Sequence, residues 1–308
     1  VRKSLQSRRA TAADAQLLLP LYESVDLDEL GYVDISLADT DAMLRDPRAL
    51  LDKSVLVTRA DGAPVAVMVP SRAARDRRID LELLVEPGRP ALFEQLVAAA
   101  EKEWTDAGSS PTLELWVASS TARALLERRG YVTTATFVRY SRGLSAHDTR
   151  PADRSDARVR PVAGESEWPL YHETLQRVFS DASEPPVESF REWAERMQSA
   201  DVNDPAQWWL LEVRAAGSQW EAAGLLQGNR QDMAVEGAWI KNFGLVPEHR
   251  GRGLGRYLLL WGLAELAAAG WQRVGLGADL GNVTSALALY DSLGFERMYT
   301  ANRLSKQL

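Results

Sequence analysis

At 308 residues the chain is about twice the usual single-domain length, so two domains of roughly 150 residues are expected, each large enough to bury its own core. Apolar residues make up 45% and charged residues 26%, the balance of an ordinary globular protein rather than a disordered one. The absence of cysteine excludes disulfides, thiolate zinc sites, iron-sulfur clusters and cysteine nucleophiles, three histidines argue against a histidine metal cage, and a formal charge of -7 argues against a nucleic-acid binder while mildly favouring a cationic acceptor.

The chain opens on VRKSLQSRRATAADAQ, whose basic residues are followed by no continuous apolar stretch, and nowhere do about 18 apolar residues run together. This predicts a cytoplasmic protein with no membrane partner. A helix-like segment, LPLYESV, begins at Leu19, and LVTRADGAPVAVMV from Leu56 alternates on both sides of Asp61 and Gly62, as a β-hairpin does. The half closes with ARALLERRGYVTTATFVRY, a helix, a glycine-aromatic pair and a strand.

The stretch GLSAHDTRPADRSDARV, 143–159, is polar, holds a proline and lacks a hydrophobic period, and reads as a linker. Beyond it the same order of elements returns. WPLYHETL from Trp168 matches the first helix, and LLEVRAAGSQWEAAGLL from Leu210 turns at Gly217 as the first hairpin turns at Gly62. ALALYDSLGFERMYTANRL matches the closing segment, so that Gly130 and Gly294 stand 164 positions apart (294 less 130), as do Tyr131 and Phe295. The chain therefore reads as a tandem of one α/β unit, with a first domain at 1–145, a linker at 146–157 and a second domain at 158–308.

Within the second half a strand, VEGAWIKNFGLV, 235–246, leads through PEHRGRGLG into the helix RYLLLWGLAELAAAG, then a short strand RVGLGAD and a helix beginning about 282–284. In RGRGLGR, 250–256, glycines at alternate positions let the chain turn tightly from strand to helix and let backbone approach a ligand. The first amides of the helix have no internal partner and the helix dipole adds positive charge there, which stabilises a phosphate or pyrophosphate. A Rossmann fingerprint would need glycine where Arg256 stands, a nucleotide-triphosphate loop would need Gly-Lys-Ser/Thr, and no Gly-x-Ser-x-Gly elbow is present.

LVPEHRGRGLGRYLL and, about thirty residues on, NVTSALALYDSLGF resemble the coenzyme-A-binding core of the GCN5-related N-acetyltransferase (GNAT) superfamily, whose Arg/Gln-x-x-Gly-x-Gly/Ala pattern is met by Arg250, Gly253 and Gly255. The resemblance implies two tandem GNAT-like domains, each a mixed, mostly antiparallel sheet flanked by helices. It implies an acyl-CoA-dependent transfer of acetyl from acetyl-CoA, a co-substrate, to a primary amine of a small molecule, with no metal. The backbone of Gly251, Arg252, Gly253, Leu254, Gly255 and Arg256 is then expected to hold the pyrophosphate, and Phe243 and Leu245 to pair with the pantetheine arm and acyl carbonyl. Asn282 matches the asparagine that contacts pantetheine, and Tyr290 the tyrosine that protonates the departing thiolate. A phenol with a pKa near 10 is neutral at pH 7 and suited to that step.

Each assignment has a plain structural counterpart. Tyr290 also fits a core position, Asn282 a helix cap, and Arg252 and Arg256 a solvated surface. An alkyl ammonium with a pKa near 10 must lose its proton before it attacks. Glu236, on the strand entering the site, is the first candidate for the base, with His172 and His249 behind it. Eight of the ten tryptophans lie in the second half, Trp208, Trp209 and Trp239 among them, and serve either an aromatic-walled acceptor pocket or the core.

In the first half the turn reads VEPGRPALFEQL, where only Gly88 is available and Pro90 removes a donor; Leu126 stands where the repeat places Tyr290, and nothing matches Asn282. The first half is therefore expected to be degenerate, a scaffold or a wall of the acceptor cleft. The alternative function is a non-catalytic acyl-CoA-binding or interaction module.

Overall fold

The computed structural model describes residues 5–73, 77–106, 110–182, 188–199, 203–214, 219–231, 237–281 and 286–308. Two compact units emerge, one formed by Val1–Val138, Asp279–Gly281 and Met298–Leu308, the other by Arg139–Ala278 and Asn282–Arg297. No helix among the described residues is long and apolar enough to cross a membrane.

In the first unit β1 (Gln6–Arg8) is followed by α1 (Ala15–Glu29) and α2 (Leu37–Arg45), then β2 (Val55–Thr58), β3 (Pro64–Arg72) and β4 (Arg78–Val85). A crossover helix α3 (Pro90–Asp106) leads to β5 (Thr112–Val117), and α4 (Ser120–Arg128) to β6 (Val132–Gly143). Helix starts follow capping chemistry. Ser36 and Asp39 satisfy each other's backbone N–H groups at the head of α2, and Ser119 accepts from Ala122 N–H at the head of α4. The expected hairpin is present, with Gly62 at φ +86° between antiparallel β2 and β3.

The last strand of the chain, β12 (Glu296–Gln307), pairs antiparallel with β5 from Asn302↔Val117 to Gln307↔Thr112. The sheet order in this unit is β1-β2-β3-β4-β5-β12-β6. On one face α1 buries Leu18, Leu21 and Val25 against Val67 and Val69; a second core joins Phe93 and Val97 of α3 and Leu125 and Leu126 of α4 to Leu113, Leu115 and Leu304.

In the second unit β7 (Ala157–Pro161) is followed by α5 (Trp168–Val178), α6 (Phe190–Ser199), β8 (Asn203–Arg214), β9 (Trp220–Gln231) and β10 (Gly237–Leu245). Helix α7 (Leu254–Ala268) crosses to β11 (Arg273–Asp279), and α8 (Ala286–Ser292) follows. The order is β6-β11-β10-β9-β8-β7. Gly217, the expected turn between β8 and β9, lies outside the described residues, but the two strands pair antiparallel as that turn requires.

Helix α7 is apolar on nearly every side and buries Leu254, Leu258, Leu259, Leu263 and Leu266. The opposite face of the sheet carries an aromatic core in which Trp168, Tyr171, Trp193 and Trp208 stack or meet edge-on at centroid separations of 5.2–6.1 Å. The polar connection after β6 is tethered rather than loose. Arg150 pairs with Glu265 at 2.5 Å and lies 4.7 Å from the Trp261 ring, and Arg154 pairs with Asp156 at 2.9 Å.

In each unit a parallel strand pair is formed, and each pair parts early. The β4–β5 ladder ends at Asp80↔Glu114 although β4 runs on to Val85, and the β10–β11 ladder ends at Ile240↔Leu276 although β10 runs on to Leu245. The repeat seen in the sequence is thus also a repeat of sheet geometry.

Candidate active site

The parting of β10 from β11 coincides with a bulge. Opposite β9, Ile240 faces Gly228 and Asn242 faces the next residue back, Gln227, so Lys241 is extra. A bulge bends its strand and increases its twist, which carries residues beyond 240 away from β11 while leaving them paired to β9. The register of β4 on β3 is continuous, so the first unit parts without one.

At its end β10 passes through Val246 and a short 3-10 turn, Pro247–His249, into the glycine segment. Gly251 and Gly253 adopt φ +74° and +75°, a left-handed conformation that costs a side-chain-bearing residue about 1–2 kcal/mol. The first bond of the α7 ladder runs from Tyr257 N–H to the Gly253 carbonyl at 3.1 Å, so the amides of Leu254, Gly255 and Arg256 precede it and have no partner within the helix. A β-carbon on Gly251 or Gly253 would have open space within 4 Å, and one on Gly255 would meet Leu245, Phe243 and Leu289 at an ordinary 3.7–3.9 Å. The protein itself therefore leaves room at all three, as a diphosphate on bare backbone requires.

Arg250 is committed within the protein. Its Nε donates to the Leu245 carbonyl at 3.1 Å and Nη2 to the Val178 carbonyl at 3.0 Å, and the guanidinium forks onto Asp181 at 2.6 and 3.0 Å. It ties the end of β10 to the last carbonyls of α5 and so fixes where the loop starts, while its side chain makes no open anion site. Arg252 is exposed, 3.5 Å from Asp156, and Arg256 donates to Ser292 Oγ at 3.0 Å, linking α7 to α8.

Tyr290, on α8, is 6% exposed, and its ring centroid lies 5.5 Å from Tyr140, 6.2 Å from Phe243 and 5.7 Å from Phe295. Burial, with a smaller contribution from Tyr140, pushes its phenol well above the usual range. The structure thus brings Tyr290, Phe243, Leu245 and the start of α7 together. Glu236 and Asn282 lie outside the described residues. His249 is buried with Nε2 3.4 Å from a Glu221 oxygen, and His172, its pKa lowered by burial, lies on α5 with Nε2 3.2 Å from the Glu188 carbonyl.

On the α5 side of the sheet a cleft of about 290 Å³ is lined by Phe179, Glu188, Trp193, Arg196, Gln227 and Asn242, among others. Of the tryptophans, Trp193 reaches this cleft, Trp208 and Trp209 are core, and Trp239 is half-buried with the Arg139 guanidinium 3.6 Å from its ring centroid. Sequence reading missed the bulge, the Arg250 staple and the pairing of Asn242 with Gln227. All three depend on cross-strand register or on α5, and neither is written near the motif.

In the first unit the corresponding turn opens α3 at Pro90, beside a cleft of about 610 Å³ that Glu94 and Arg128 help to line. Leu126 is fully buried. The backbone donor that Pro90 lacks at the helix start disfavours a bound diphosphate.

Comparison with known proteins bears on the family and the fold. Residues 168–295 match the acetyltransferase (GNAT) family. A mycothiol acetyltransferase of Kocuria rhizophila is 30% identical over 275 residues, 84% of this chain and 87% of that protein, and one of Rhodococcus jostii is 28% identical over 95% of this chain and 90% of its own length. Among solved structures, a GCN5-related N-acetyltransferase from Sphaerobacter thermophilus superposes with a TM-score of 0.78 at 22% identity, covering 98% of this chain and 95% of that one. A tandem GNAT protein from the clavulanic acid biosynthesis pathway gives 0.72 at 16% identity, covering 99% and 98%. The tandem architecture expected from the internal repeat is the architecture of these folds.

Proposed function

We propose, for a chain that belongs to the acetyltransferase (GNAT) family and is an N-acetyltransferase, that acetyl-CoA is bound in the second half, at residues 243–256, and that its acetyl group passes to the amine of a small molecule. The observation that carries this reading is the parting of β10 from β11 immediately before a glycine turn and an uncapped helix start.

Acetyl-CoA supplies an activated thioester when bound. The amides at 251–256, Gly251 and Gly253 among them, would receive its diphosphate, and the freed edge of β10 at Phe243 and Leu245 would pair with the pantetheine amides. Tyr290, held protonated by burial, donates its proton to the sulfur that leaves. The amine proton goes to a base or to water, with Glu236 the candidate base and Asn282 a candidate pantetheine contact. Arg250 acts by holding the loop, and Arg252 and Arg256 remain available to phosphates at modest cost, since their present partners are exposed.

The relatives are named for acetylating mycothiol, which favours a small-molecule amine as acceptor. We further propose that 1–145 is a non-catalytic scaffold, 146–157 a connection and 158–308 the catalytic domain. The test is release of free thiol from acetyl-CoA in the presence of glucosamine, tyramine or cysteine ethyl ester, alongside calorimetric titration of the donor. Transfer with the stated residues in play is the expected result; binding without transfer would support a sensing or interaction module, and no binding would end the donor-site reading.

A further inference from the structure

We propose that Asn242 receives the acceptor amine, its Oδ1 accepting an N–H of the neutral nucleophile, and that buried Gln227 holds it in that orientation. The inference rests on the transferase reading above. Because Lys241 is bulged out, Asn242 stands opposite Gln227 on the α5 face, whereas Phe243 turns to the α7 face and packs against Tyr290. Asn242 is therefore the cleft-side neighbour of the residue that touches the proposed proton donor, at the point where β10 leaves β11.

Its amide has one sensible orientation. Gln227 is fully buried, and its Nε2 lies 3.5 Å from Met197 Sδ, a thioether that only accepts. Gln227 Oε1 is thus left for Asn242, whose Nδ2 donates to it at 2.6 Å. That bond turns Asn242 Oδ1 away from Gln227, and both residues line the cleft with Phe179 and Trp193, so the oxygen is placed to accept from a group bound there. Glu188 and Arg196 on the cleft wall are paired with each other at 2.5 Å, and His172 behind it is kept neutral by burial.

An uncharged acceptor here has a chemical consequence. A carboxylate in the same place would favour the ammonium form and withhold the lone pair, whereas an amide oxygen orients the free base without raising its pKa. Asn242 would then select neutral amine and aim its lone pair at the thioester carbonyl.

The test compares Asn242→Ala, Asn242→Asp and Gln227→Met with the wild type in the full chain, using the fastest acceptor among glucosamine, tyramine and cysteine ethyl ester. Asn242→Ala is expected to lower kcat/KM for the amine about tenfold while leaving acetyl-CoA affinity within about twofold. The near-isosteric Asn242→Asp should move the acid limb of the kcat/KM profile up by about one pH unit. Gln227→Met should reproduce part of the loss, with Asn242→Ala adding little on top of it, as coupled residues do. Normal donor binding and turnover with an unmoved pH limb and unchanged kcat/KM in both Asn242 variants overturns this inference alone. No acetyl-CoA binding by the wild type, or binding with no transfer to any of the amines, overturns the transferase reading and this inference together.

Discussion

Tyr290 and Asp80 show how burial pushes single acidic groups toward their protonated form, with different consequences. Tyr290 is pushed upward as a phenol and stays a proton donor across the neutral range, so Tyr290→Phe is expected to lower kcat about a hundredfold or more while acetyl-CoA affinity, read by calorimetry, stays near the wild-type value. Asp80, half-buried on β4, is pushed up to about 6, first by burial and then by the nearby Glu114 carboxylate, against the pull of Arg48, Arg303 and Arg78. A carboxyl group held above its unfolded value near 4 costs nothing in acid, where both states are protonated, and destabilises as pH rises from about 4 through 6. Asp80→Asn should therefore raise the unfolding free energy by about 2–3 kcal/mol at pH 8 and by nearly nothing at pH 3.5, as denaturant titrations at the two pH values would show. Tyr290 was legible in the sequence because it lies in a local pattern before Gly294 and Phe295. Asp80 was not, because its environment is assembled from β5 and β12, far along the chain.

The strand, turn and helix around the proposed donor site divide their glycines by physical duty, and that division can be measured. Gly253 sits at φ +75° at the head of α7, so Gly253→Ala should cost about 1–2 kcal/mol of stability and also weaken acetyl-CoA binding. Gly255 is helical and its added methyl would meet only ordinary contacts, so Gly255→Ala should stabilise the protein by up to about 1 kcal/mol through helix propensity while, under the proposed donor site, still weakening the donor by adding bulk beside the backbone expected to hold the diphosphate. Thermal unfolding and donor titration on the same sample separate the two effects; a Gly255→Ala variant that binds acetyl-CoA as tightly as wild type would mean the diphosphate does not approach α7 there. This turn could be read from sequence since a left-handed glycine and an uncapped helix start are local features. The bulge at Lys241 could not: extra residues are defined only by the register of a partner strand, and VEGAWIKNFGLV alternates too loosely to show one. The tie that Arg250 makes could not be read there either, since the carbonyls it holds belong to Val178 and Leu245 and only the folded chain brings them within reach.

At the scale of the molecule, the repeat in the sequence and the compact units of the structure divide the chain differently. The repeat ends its first copy after β6, yet residues Met298–Leu308 are part of the first unit, where β12 completes the edge of β5 and Leu304, fully buried, joins the core of Phe93, Leu113 and Leu115. Strand pairing across so long a separation leaves no local signature, and a closing strand looks the same in sequence whichever neighbour it adopts. Its energetic consequence is specific. Leu304→Ala should cost about 2–5 kcal/mol, the usual range for emptying a packed core position. Expressing 1–145 alone should leave β5 with an unpaired edge, a template for association, and yield a protein that aggregates or exchanges its β5 amides freely. Supplying the peptide 298–308 should restore protection at Thr112–Val117, because the antiparallel ladder and the seat of Leu304 are both regained. Hydrogen exchange of the fragment with and without the peptide decides the matter: β5 amides that are equally protected in both samples would show that the first unit closes without the chain's last strand.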